Sequence, residues 1–135
     1  MARPRKVTDE QVFEAAYRLM ERLGPTQWTL ADVAAEIGVT AGALVQRFGS
    51  KRALQVALME GYADMMPDVY AAMRAQHTSP VDALYAYAAQ LACLAPSADK
   101  LAHHLDYLRL DLTDEEMHAH FARAAVAAHD FLCDV

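Results

Sequence analysis

Apolar residues along this chain recur at intervals of three and four, and no stretch alternates apolar with polar long enough for a strand. That period predicts an all-α protein, and breakers and caps divide it into seven helices. The first spans residues 9–23. Thr8 and Gln11 form a capping box, and Val12, Phe13, Ala16, Tyr17, Leu19, Met20 and Leu23 lay an apolar stripe along it before Gly24-Pro25 ends it. A short second helix is capped by Thr29, carries Asp32 at its positive end and stops at Gly38. The third begins after Thr40 and ends at Phe48-Gly49. Ser50 caps a fourth that runs to about Met66, where Pro67 kinks or ends it before helix resumes to about Ala75. Ser79-Pro80 opens a fifth helix, and Pro96-Ser97 a sixth that carries Leu101, Leu105 and Leu108. Thr113 and Glu116 form a capping box for a seventh, which is still running at Val135 without a terminating Gly, Asn or Pro. The pattern therefore expects further chain beyond Val135.

The stretch from Thr29 to Lys51 carries the functional signal. Two short helices meet at a tight turn containing Gly38, with Val39 as an apolar plug, which is the layout of a helix-turn-helix. Its core is read as Leu30, Val33, Ala34, Ile37, Val39, Leu44 and Phe48. On the third helix, Leu44 and Phe48 point inward, while Gly42 and Gln46 point away with Ala43 and Arg47 beside them. Small residues there, Ala41 and Gly42, allow close approach to a major groove. Gln46 suits bidentate pairing with adenine, and Arg47 suits guanine or a phosphate. Thr29, Thr40, Lys51 and Arg52 are the candidate phosphate contacts, and Arg3, Arg5 and Lys6 form an N-terminal arm able to enter a minor groove. Residues 1–50 thus read as a DNA-binding domain and 51–135 as a helical regulatory domain.

Charge sharpens this division. The net formal charge of −6 opposes nucleic-acid binding as a total. Yet residues 1–60 hold eight basic against seven acidic side chains, and residues 61–135 hold four against eleven. DNA binding needs a local basic face, and one gathers at the N-terminus and around 47–52. The acidic half supports an alternative from another class, a helical protein-interaction module docking a basic partner.

Other chemistry finds little support. Cys93 and Cys133 lie far apart and outside any CxxC spacing, which argues against a disulfide framework or zinc site. His77, His103, His104, His118, His120 and His129 include no HExxH, and the rings of His118 and His120 point to nearly opposite sides of a helix, so no metal or other cofactor is expected. Asp114, Glu115 and Glu116 stand where a helix start favours carboxylates, and no nucleophile elbow or phosphate loop exists, so an enzyme is not expected. No apolar run reaches the roughly 20 residues of a membrane span and no signal peptide opens the chain, which reads as cytoplasmic. In the second half, Met66, Tyr70, Tyr85 and Tyr107 are candidates to line a pocket for a small-molecule effector.

From Val12 to about Leu58 the chain resembles the DNA-binding domain of the TetR family. The resemblance is carried by Gly24, Thr29-Leu30-Ala31-Asp32-Val33-Ala34, Gly38-Val39-Thr40, Gly42-Ala43-Leu44 and Phe48-Gly49-Ser50-Lys51. It implies a homodimer on palindromic double-stranded DNA, a helical ligand-binding domain, and a fourth helix linking the two. It also implies two last helices that build the dimer interface, beyond Val135. Two positions depart from the family pattern. Val45 stands where an aromatic residue usually contacts a phosphate, and Arg47 where histidine is usual.

Overall fold

The computed structural model describes residues 7–94 and 96–135, and the described residues contain seven α-helices and no strand. Arg3, Arg5 and Lys6 lie outside them. The helices are α1 (Asp9–Leu23), α2 (Leu30–Ile37), α3 (Ala41–Phe48), α4 (Lys51–Gln76), α5 (Pro80–Cys93), α6 (Ala98–Thr113) and α7 (Glu115–Asp134). They form two compact units, the first ending at Leu54 and the second running from Gln55 to Val135. No described helix is long and apolar enough to cross a membrane.

In the first unit, local chemistry fixes each helix end. The Thr8 hydroxyl accepts from the Gln11 amide at 3.3 Å while the Gln11 side chain accepts from the Thr8 amide at 3.1 Å. Thr29 and Asp32 make the same reciprocal cap on α2. Gly38 ends α2 in the left-handed region, at φ +72°, where a Cβ would strain the backbone. That turn directs the chain straight into α3, so α2 packs against both α1 and α3. Val12, Ala15, Ala16, Leu19, Val33, Ala34, Leu44 and Leu54 are buried, and Leu30, Ile37, Val39 and Phe48 are half-buried at the edge of this core. Phe48 meets Phe13 with ring centroids 6.1 Å apart. Trp28, in the loop between α1 and α2, is fully buried, although no helical period marks it in the sequence.

The second unit corrects two expectations. First, Pro67 does not end a helix: α4 runs unbroken from Lys51 to Gln76. Proline costs the Ala63 carbonyl its usual N–H partner. Pro67 itself is exposed, and the burial of Ala63 and Met66 beside it lets packing override that loss. Second, Thr113 does not cap α7. It is the last residue of α6, and its hydroxyl turns back to the Arg109 carbonyl at 2.8 Å. Asp114 caps instead, its Oδ1 accepting from the amides of Glu116 and Met117 at 3.1 and 3.2 Å. A carboxylate beside the positive end of a helix displaces the neutral hydroxyl next to it. On α6, Leu101 and Leu105 face solvent, at 45% and 54% exposure, while Leu108 is half-buried.

Candidate nucleic-acid interface

The site is built around α3. Buried Leu44 pins its inner face, which leaves Gly42, Ala43, Val45, Gln46 and Arg47 exposed and Ala41 half-exposed. Gly42 has helical backbone angles, so its glycine is not demanded by conformation. A Cβ there would meet one atom only, the Thr40 hydroxyl oxygen at 4.0 Å. The chain itself therefore leaves this space open, and close approach by an outside surface is the use the position allows. Gln46 lies one turn further along the same face.

The candidate phosphate contacts differ in what remains available on each. At α3, the Thr40 hydroxyl accepts from the Ala43 amide at 3.2 Å, and its proton stays available for an outside acceptor. At α2, Thr29 is more committed. Its hydroxyl accepts from the Asp32 amide at 3.2 Å and donates to Asp32 Oδ2 at 2.8 Å, and its amide donates to the same oxygen at 2.8 Å. These bonds from Thr29 hold the Asp32 carboxyl below its ordinary range. The remaining first-turn amides of α2, of Leu30 and Ala31, have no partner within the helix and are the donors it can offer an anion. Arg52 is exposed at the start of α4.

Two of the expected DNA-binding cations also hold the fold. Lys51 Nζ donates to the Thr26 carbonyl at 3.2 Å and stands 4.6 Å over the Trp28 ring, where burial lowers its pKa. Arg47 reaches back to α1: Nη1 donates to the Val7 carbonyl at 2.7 Å and Nη2 pairs with Asp9 at 2.5 Å. Sequence reasoning missed the parts of Trp28 and Asp9 here. Asp9 lies 38 positions from Arg47 and enters the sequence reading only as the first residue of a helix. Glu36 makes a further tie, accepting from Arg22 at 3.0 Å and Arg18 at 3.4 Å, so that α2 is fastened to α1. The Arg22 bond leads in lowering the Glu36 pKa.

In the second unit, Tyr70 lines an open groove of about 790 Å³ between α4 and α7, together with Phe131, Val126 and Arg74. Met66 is buried beneath it in a cluster with Ala63 and Ala124. Tyr85 is 77% exposed and Tyr107 half-buried, and neither lines the groove. Tyr70, Tyr87 and Phe131 form a ring cluster with centroids 5.2–5.9 Å apart, and burial pushes the Tyr70 phenol up to about 12. Among the described residues no three His, Cys, Asp or Glu side chains gather as a metal site.

Asp111 on α6 is the one buried charged residue described, and burial pushes its carboxyl up to about 6. An acid with a raised folded-state pKa holds its proton more tightly folded than unfolded. Its destabilising effect is absent below the unfolded value of 3.8 and grows as pH rises to about 6. Asp111→Asn is therefore expected to raise stability at pH 7 by about 1–2 kcal/mol, a figure discounted for partial solvation of the carboxyl, and to change it little near pH 3.5. Urea titrations at the two pH values check this. An equal change at both would rule out ionisation as the cause.

Compared with known families, residues 12–58 match the model described as bacterial regulatory proteins, tetR family. No curated protein matches the chain.

Proposed function

We propose that this chain is a DNA-binding transcriptional regulator of the TetR type, a ligand-responsive repressor gripping a palindromic operator as a homodimer. The match of residues 12–58 to the tetR family model supports the DNA-binding regulator. The observation that carries the reading to particular residues is the outer face of α3, where unfilled space at Gly42 precedes exposed Gln46 on a helix anchored by buried Leu44. In this reading Gln46 reads a base edge, and Thr40 with the α2 amides fixes the phosphate backbone. The second unit binds the effector, and α4, whose residues belong to both units, carries the response. The effector favours a conformer in which two recognition helices no longer match half-sites about 34–36 Å apart.

Selection of bound duplexes from a random pool tests this. The wild type is expected to enrich a palindrome, with affinity falling log-linearly with salt. Gln46→Ala is expected to relax one base position in each half-site by about 1–3 kcal/mol while leaving non-specific binding in place. A folded protein that enriches no sequence would overturn the reading.

A further inference from the structure

We propose that Val45 is a specificity-determining residue whose isopropyl group meets the ring methyl of a thymine in the major groove. This rests on the DNA-binding reading of α3. Val45 is 49% exposed, on a helix whose inner face is pinned by buried Leu44. It follows Ala41 by four positions and Gly42 by three, so the three lie along one flank of α3. Gln46 stands beside that flank on the outer face. The opposite flank is committed elsewhere, because the Arg47 guanidinium turns back to the Val7 carbonyl and Asp9. On the Val45 side, α3 therefore offers open space at Gly42, one amide at Gln46, and an apolar patch of Val45 beside half-exposed Ala41.

The chemistry of the groove gives that patch its partner. A phosphate oxygen needs a donor, and an isopropyl group has none. Pressing the two together would strip the phosphate of water without replacing its hydrogen bonds. Base edges in the major groove present donors and acceptors, and thymine alone adds a methyl group. A β-branched side chain in a helix keeps essentially one χ1 rotamer, so Val45 holds its methyls where the backbone puts them and loses little freedom on contact. Its neighbour Gln46 suits adenine, whose partner in the duplex is thymine. Both residues thus favour A·T pairs, Gln46 through a polar edge and Val45 through the methyl. Within the protein, a side chain with half its surface in solvent fills no part of the buried core of Val12, Leu19, Val33 and Leu44.

Deoxyuridine tests this, since it pairs as thymidine does and lacks only the methyl group. The probes are the duplex enriched by the wild type and copies of it carrying deoxyuridine at one thymine position at a time, in both half-sites. At one position the replacement is expected to weaken wild-type binding by about threefold to tenfold per half-site, the scale of one methyl withdrawn from an apolar contact. Val45→Ala should weaken binding to the thymine duplex by a similar factor. It should also be indifferent to deoxyuridine at that position, because both changes remove the same contact. The variant should melt no lower than the wild type, since alanine is the better helix former and an exposed site leaves no cavity. Wild-type binding that is indifferent to deoxyuridine at every position would overturn the contact. So would an equal deoxyuridine loss in wild type and Val45→Ala, or Val45→Ala with full affinity. A lower melting temperature would place the valine methyls within the protein's own packing and overturn it too. A wild type that enriches no duplex would overturn the DNA reading first, and that result is visible before any variant is compared.

Discussion

Trp28→Ala is expected to unfold the first unit, lowering its stability by about 3–5 kcal/mol and abolishing DNA binding with it. Trp28 is fully buried and is the only tryptophan in the chain. It comes from the loop between α1 and α2, so no neighbour on its own helix can collapse into the space it would leave. A small domain buries little surface relative to its size, and a loss of that order is a large share of its total stability. The ring is also the platform for Lys51, whose ammonium stands 4.6 Å above it and bonds the Thr26 carbonyl of the same loop. Trp28→Phe should keep most of the burial and most of the stability. Helicity followed through a denaturant titration distinguishes these outcomes. A Trp28→Ala protein with the wild-type midpoint would show that the loop contributes nothing to the core.

The contrast between this residue and its neighbours shows which structure the sequence makes legible. The ends of α1, α2 and α3 rest on contacts three or four residues apart. Thr8 with Gln11, Thr29 with Asp32, Thr40 with Ala43 and the left-handed Gly38 are therefore readable from sequence. Trp28 lies between Gly24-Pro25 and Thr29, where no helical period applies, and its burial follows from the packing of α1 on α2. The error at Thr113 was local but competitive: two adjacent residues could each cap α7, and the charged one prevails. The helix end expected as one of two outcomes at Pro67 does not occur, because propensity counts the lost hydrogen bond and not the burial of Ala63 and Met66 beside it.

For the site, the exposed face of α3 was legible because a short amphipathic helix separates its sides by period alone. The fixed partners of Arg47 and Lys51 were not. Arg47 meets Val7 and Asp9 across 40 and 38 positions, and Lys51 meets Thr26 across 25. A cation's spacing on its own helix says nothing of such distant acceptors. In the second unit, Asp111 is a carboxylate buried on α6, and the helical period of its neighbours gives no sign of it.

Gly42→Leu separates folding from recognition more cleanly than any other change in this chain. Position 42 has helical backbone angles and open space, so leucine needs no rearrangement inside the protein. Glycine is the poorer helix former by roughly 1 kcal/mol, and the variant should unfold at an equal or higher temperature than the wild type. Against DNA the expectation is reversed. In the proposed complex the new side chain projects from the face set against base edges and stands off the helix by several ångströms. Hydrogen bonds from Gln46 need donor–acceptor distances near 3 Å, and they cannot survive that displacement. Operator affinity should fall by about a hundredfold or more, equivalent to nearly 3 kcal/mol. Electrostatic attraction is long-ranged and survives a small standoff, so the weak, salt-sensitive non-specific binding should remain. A stable Gly42→Leu protein with undiminished operator affinity would mean that α3 does not enter the groove by this face.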